Sequence, residues 1–170
     1  MKIVKIVLAA LVGIILLFLS IGLVFPSYEY QSSIEVKASP EKCWEAYHDT
    51  KKMREWLDGF ESLTLKNGEL LANGSTYEIV ITDDGHRMIM NEKIIEVNAP
   101  TKVTYELNND VLKSEFSFSF EGTTSTKITS KYKITGNNVL WKSILFLSKS
   151  YMTGEAQKQL AGLKKVIEKQ

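Results

Sequence analysis

Glu92 belongs to an alternating run, Met88, Met90, Glu92 and Ile94, whose other members are all apolar. Successive side chains of a strand point to opposite faces, so the carboxylate nominally shares the inner face with them. Held there, it could anchor the polar head of a ligand, or act as a base whose pKa burial has raised. A strand bulge that turns it outward is an equal alternative. Tyr77 and Tyr105 stand on the apolar faces of other alternating runs and are the groups that could join Glu92 in acid–base chemistry.

Other chemistry finds little material. His48 falls near the end of a helical stretch and His86 opens a strand just after a turn, so both are expected at the solvated surface. No His-x-x-x-His or Cys/His cluster is present, and neither a metal nor a cofactor is expected. There is no Gly-x-Ser-x-Gly elbow and no phosphate loop. Cys43 is the single cysteine; it cannot form an intrachain disulfide and reads as a buried, inert thiol. These patterns assign no catalytic residue. Asn73-Gly74-Ser75 is a glycosylation sequon, meaningful only in a host that glycosylates exported proteins.

The elements that must position these groups follow from period and punctuation. Tyr28 to Lys37 alternates as a strand. Ser39-Pro40 then starts a helix with Cys43, Trp44 and Tyr47 on one stripe, and Asp49-Thr50 starts a second, short helix carrying Met53, Trp56 and Leu57. From Phe60 to Gly136 six strands are predicted, over 60–66, 75–82, 86–97, 102–108, 111–121 and 125–135. They are separated by Asn67-Gly68, Asn73-Gly74, Asp83-Asp84-Gly85, Asn98-Ala99-Pro100, Asn108-Asn109-Asp110 and Gly122. Such short, turn-forming links imply antiparallel neighbours. Beyond Asn138, Trp141, Leu145, Met152, Ala156, Leu160, Leu163 and Ile167 recur at helical spacing, predicting one long C-terminal helix with a bend or loosened turn at Gly154. The result is an α+β domain in which a curved antiparallel sheet of seven strands must wrap a helix to bury its apolar face.

Ahead of the domain, Ile6 to Phe25 is apolar and uncharged. Twenty residues at a helical rise of ~1.5 Å match the ~30 Å hydrocarbon core of a bilayer. A signal peptide is the competitor, but its apolar region is ~7–15 residues long, and Leu23 to Tyr28 offers no small-x-small cleavage site. Residues 1–27 are therefore expected to form a transmembrane anchor with a short link, and residues 28–170 the folded domain. Lys2 and Lys5 precede the run and Glu29 is the first charge after it, so the N-terminus is expected in the cytoplasm and the domain outside it. Only about four residues, Pro26 to Glu29, separate the run from the first strand, a reach of ~13 Å. The domain must then sit close against the outer leaflet.

Charge excludes one class. The 170-residue chain has 21 basic and 20 acidic residues, and its only arginines are Arg54 and Arg87. Nucleic-acid binding leans on arginine and a basic face and is not expected. The last helix is richer in lysine, but Lys142, Lys149, Lys158, Lys164, Lys165 and Lys169 are spread round it and read as a solvated surface. Leu140 to Leu147 is apolar nearly all round, fitting a cover over a cavity or a contact with the bilayer.

Two signatures then resemble a known family. The first is Ile34-x-Val36-x-Ala38-x-Pro40-x-x-Cys43-Trp44, followed by Asp49 and Trp56. The second is Ile94-Ile95-Glu96-Val97-x-x-Pro100-x-Lys102-Val103-x-Tyr105. With Gly122-Thr123, Lys127-Ile128-Thr129 and the long last helix, the order over residues 30–168 is similar to that of the START-like helix-grip superfamily, also called SRPBCC, with its polyketide-cyclase and lipid-transport members. The resemblance implies a helix-grip fold with an apolar cavity between sheet and C-terminal helix. It does not imply one activity, because members include carriers, cyclases and oxygenase subunits.

Residues sharing the inward faces are the candidate cavity lining: Tyr77, Ile79 and Ile81; Met88, Met90 and Glu92; Tyr105; Phe116, Phe118 and Phe120; and, from the last helix, Trp141, Leu145 and Met152. Plain core packing is the better account of any one of them taken singly. Methionines and aromatics nonetheless suit an adaptable apolar pocket. The first expectation is a membrane-anchored, non-catalytic domain that binds a hydrophobic small molecule or lipid. The alternatives are a cyclase- or hydrolase-like enzyme using Glu92, Tyr105 or Tyr77, and a structural or partner-binding envelope module whose cavity has collapsed.

Overall fold

In the computed structural model, which describes residues 2–83 and 85–169, the alternating segments become seven antiparallel strands. These are β1 (Ser27–Val36), β2 (Phe60–Asn67), β3 (Thr76–Asp83), β4 (His86–Asn98), β5 (Lys102–Asn108), β6 (Leu112–Gly122) and β7 (Thr126–Gly136). Asp84 of the Asp83-Asp84-Gly85 turn, and Met1 and Gln170 at the ends of the two expected units, lie outside the described residues. The sheet order is β1-β7-β6-β5-β4-β3-β2. Strands β2 to β7 form a meander, because each link is too short for a crossover. Strand β1 pairs with β7 at the far edge.

Two helices carry the chain from β1 across to β2. Helix α2 (Pro40–His48) begins at Ser39, whose side chain accepts from the Lys42 amide, with Pro40 in its first turn. Helix α3 (Thr50–Trp56) begins at Asp49, which accepts from the Lys51 amide at 2.9 Å. Both caps satisfy amides that have no partner within the helix.

The C-terminal helix is in two parts, a correction to the single helix predicted. Helix α4 (Val139–Leu147) and helix α5 (Lys149–Glu168) meet at Ser148. The Ser148 hydroxyl donates to the Ile144 carbonyl at 3.0 Å, a side-chain bond that competes with the helical ladder. Gly154 lies inside α5 and does not interrupt it.

Helix α5 fills one half of the sheet's concave face. Its Leu160, Leu163 and Ile167 are buried with Val36, Ile94, Val103, Phe120 and Ile128 in the main core, together with Trp44, Tyr47 and Trp56. Gly162 lets α5 approach α3 closely, since a β-carbon there would sit 3.2 Å from the Trp56 carbonyl oxygen. A smaller cluster of Tyr28, Ile134 and Leu145, flanked by Trp141, Phe146 and Met152, packs α4 over the ends of β1 and β7.

Before β1 runs helix α1 (Lys2–Val24), long and apolar enough to cross a membrane, with only Gly22 buried. Its last turn packs on α4. The Gly22 amide donates to the Ser143 hydroxyl at 3.0 Å, and a β-carbon at Gly22 would overlap the Val139 carbonyl oxygen. Phe25 stacks on Phe146 with ring centroids 4.5 Å apart.

Candidate functional site

Where α5 ends its grip, the sheet and the short helices enclose a cavity of about 590 Å³, within the range of small-molecule sites. Strands supply it by alternation: Tyr77, Ile79 and Ile81 from β3, Met90, Glu92 and Ile94 from β4, Tyr105 and Leu107 from β5, and Phe116 and Phe118 from β6. Tyr132 and Ile134 reach it from β7, Tyr47 and His48 from α2, and Met152 and Gln159 from α5. Leu70, in the link between β2 and β3, is 76% exposed yet lines it, so one mouth opens beside that link. The opposite end touches Tyr30, Leu112, Ile134 and Met152, which belong to the cluster under α4.

Nine of the thirteen residues singled out by strand alternation and helical spacing line this space: Tyr77, Ile79, Ile81, Met90, Glu92, Tyr105, Phe116, Phe118 and Met152. Four do not. Met88 is exposed, because it pairs with Ile81 toward the hairpin tip, where the sheet runs past its cover. Phe120 has the right parity but is sealed under α2, with its ring edge-on to Trp44 at 5.7 Å. Trp141 and Leu145 belong to the cluster under α4, because that helix leans on α1 and β7 rather than on the cavity.

His48 corrects the sequence reading most sharply. It is half-buried and lines the cavity rather than standing in solvent. Its Nδ1 lies 2.9 Å from the Trp44 carbonyl, which can only accept, so Nδ1 carries the proton. Nε2 is thereby the acceptor for the Tyr105 hydroxyl at 3.3 Å. Desolvation drives the imidazole pKa down to about 4. His86 is exposed, as expected. The sequence signal for His48 was present but indirect: it follows Tyr47, on the stripe that locks α2 to the sheet.

Glu92 faces inward. A bulge does occur in β4, but between Ile94 and Glu96, one step beyond the point that would have turned Glu92 out. The side chain is 8% exposed. Its carboxylate has neither hydrogen-bond donor nor cation among the described residues, and desolvation lifts its pKa to about 7. Around it stand four tyrosines: Tyr77 across the ladder, and Tyr47, Tyr105 and Tyr132, all of which feel its charge. Burial raises the hydroxyls of Tyr47 and Tyr105 well above the usual range, and that of Tyr132 to about 12. Tyr105 is engaged by His48 and Tyr47, while the Tyr77 oxygen accepts from the Leu71 amide at 2.8 Å. Tyr105 and Tyr77 thus have partners of their own, and among the described residues none of the four tyrosines is hydrogen-bonded to Glu92.

With this geometry established, comparison with known proteins is decisive for the family. The model of the "polyketide cyclase / dehydrase and lipid transport" family matches residues 28–168. The chain belongs to that family. Its fold is shared with the Zhui aromatase/cyclase from Streptomyces sp. R1128 (TM-score 0.69, 9% identity, covering 84% of this chain and 94% of that one). It is shared too with norcoclaurine synthase from Thalictrum flavum, solved with dopamine and hydroxybenzaldehyde (TM-score 0.60, 15% identity, 84% and 87% covered). The di-domain ARO/CYC BexL is similar (TM-score 0.65, 11% identity, 84% of this chain), and this chain spans 50% of its length. A sequence search of curated proteins finds no match.

The two displaced titrations act on stability with opposite signs. Glu92 keeps its proton in the folded state up to about 7, against 4.5 for a free carboxyl; its contribution is full below 4.5 and is lost as pH rises through 7. His48 resists protonation down to about 4, against 6.5 when free; its contribution is full above 6.5 and is lost as pH falls through 4. At ~1.4 kcal/mol per pKa unit, each amounts to about 3 kcal/mol, and the two nearly cancel across the shared window. Thermal unfolding of the wild type should therefore depend weakly on pH there. Glu92→Gln should gain stability with rising pH and His48→Asn should lose it. Parallel profiles for the three proteins would refute the burial of both groups.

Proposed function

We propose that the protein is a membrane-anchored binding domain that holds a hydrophobic small molecule or lipid without transforming it. The observation that carries this reading is the cavity: about 590 Å³ walled almost wholly by Leu, Ile, Met, Phe and Tyr side chains. Burying an acyl chain there contributes about 0.8 kcal/mol per methylene, so an apolar ligand can be retained without further polar chemistry. The family description includes lipid transport, which agrees with such a role. Cyclases share the fold, but the polar groups here favour binding. Tyr105 is engaged by His48 and Tyr47, and among the described residues no donor meets the Glu92 carboxylate to form an acid–base pair.

Anchoring is the second half of the proposal. Helix α1 is exposed along almost its whole length, as a bilayer span is in the absence of lipid. Its final turn, docked on Ser143 and Phe146 of α4, would hold α4 at the membrane surface. Leu140 and Leu147 of α4 and Tyr151 of α5 are exposed and would meet the interface. The cavity end under α4 would then face the bilayer, giving an apolar ligand a short path from lipid to cavity. Lys2 and Lys5 before the span favour a cytoplasmic N-terminus and an exported domain.

Two experiments test these halves separately. In lipid nanodiscs the full chain should bind a fluorescent apolar probe such as N-phenyl-1-naphthylamine. Ile79→Trp, which fills the cavity, should weaken binding by about tenfold or more while leaving unfolding nearly unchanged. Equal binding by the two proteins would place the probe elsewhere, and no binding by the wild type would count against a carrier. For topology, alkaline phosphatase fused to the C-terminus should be active in a bacterial host and green fluorescent protein dark; the reverse pattern would put the domain in the cytoplasm.

A further inference from the structure

The cavity holds one carboxylate and no cation. Among the described residues that line it there is no Lys or Arg, and Glu92 is its only acid. Burying a carboxylate without a partner is costly, and such a group is ordinarily paired or bound to a ligand. Glu92 is 8% exposed, faces the empty space and receives no hydrogen bond from the described residues. Tyr105 is committed to His48 and Tyr47, the Tyr77 oxygen accepts from the Leu71 amide, and among the described residues no tyrosine hydroxyl is hydrogen-bonded to the carboxylate. An orphan acceptor of this kind is completed by a donor on whatever occupies the cavity.

The surroundings narrow that donor to a class. Aromatic rings form a continuous wall near Glu92: Tyr105 stacks on Phe116 at 5.1 Å, Phe116 on Tyr132 at 5.8 Å, and Tyr132 on Tyr30 at 4.7 Å. Ring faces carry negative electrostatic potential and attract cations, more strongly when water is excluded. A negative side chain beside aromatic faces, with no positive group among the described lining residues, repels an acid, offers an alcohol a hydrogen bond alone, and adds charge pairing for an amine.

We infer that the cavity takes an amphiphile with a basic amine, its apolar body against the aromatic wall and its ammonium group paired with Glu92. This rests on the reading of the cavity as a site for hydrophobic ligands and names the head group it selects. The preference depends on pH, because Glu92 must be ionised to pair. The titratable groups facing it are Tyr77 on β3, Tyr105 on β5, Tyr132 on β7 and Tyr47 on α2, with His48 behind Tyr105. Burial raises Tyr47, Tyr105 and Tyr132 and keeps His48 neutral down to about 4, so of these shifted groups Glu92 alone changes charge near neutrality.

The test uses three ligands of one shape, 4-phenylbutylamine, 4-phenylbutanol and 4-phenylbutyrate, titrated calorimetrically into the full chain in zwitterionic nanodiscs with empty discs subtracted. At a pH of about 8.5 the amine should bind roughly tenfold tighter than the alcohol, with the carboxylate weakest. At a pH of about 5.5, where Glu92 is protonated, the amine should lose about tenfold in affinity while the alcohol is unchanged. Glu92→Gln should abolish both the preference and the pH dependence. An amine that binds no tighter than the alcohol, or a preference that survives in Glu92→Gln, overturns the inference and leaves the carrier reading intact. Failure of all three ligands overturns both. The wild-type pH series decides the matter even if the variant does not fold.

Discussion

The structure depends on one geometric mismatch: the curved sheet is longer than the helix surface that fills it. Helix α5 contributes buried Leu160, Leu163, Val166 and Ile167 toward its C-terminal end, and there the concave face is packed solid around Val36, Ile94, Phe120 and Ile128. Toward its start, only Met152 and Gln159 reach the space beneath. The interruption at Ser148 and the lean of α4 onto α1 carry the next apolar turns, Trp141 and Leu145, away from the sheet. What the helix does not fill, the aromatic and aliphatic faces of β3 to β7 are left to line. Close packing is the rule for protein interiors, and a departure of this size marks a place where stability has been yielded to binding.

Glu92 makes sense only within that space. In a filled core an unpaired carboxylate would be replaced or neutralised at a cost of several kcal/mol. Here the buried carboxyl borders open space, and the protein tolerates it as a protonated or half-ionised group near neutrality. His48 is displaced by the same low-dielectric surroundings, in the direction that keeps it neutral. One apolar wall therefore explains both shifts.

The fold was highly legible because its signals are local. Alternation, Asn-Gly turns and the Ser39-Pro40 helix start each act over a few residues, and strand ends fell within a residue or two of their predicted places. Inward parity likewise picked out eight strand residues that line the cavity. What it could not supply was position along each strand. Phe116, Phe118 and Phe120 share a face, yet only the first two meet the cavity, since α2 covers the third. Tyr30 and Tyr132 carry no such signal, and the pattern misplaces His48 at the surface, because their inward placement depends on tertiary contacts: the edge pairing of β1 with β7, and the angle at which α2 crosses the sheet. The docking of α1 on α4 through Gly22 was equally invisible, since a glycine in an apolar helix advertises no partner until the partner is in place.

Helix α1, the cluster under α4 and the cavity adjoin one another in turn, ending at the aromatic wall beside Glu92. The most direct test is native mass spectrometry of the full chain released gently from nanodiscs. A bound hydrophobic molecule in the wild type, absent from Ile79→Trp, is the predicted result. A protein that emerges empty in both forms, and takes up no apolar compound when offered one, would contradict it.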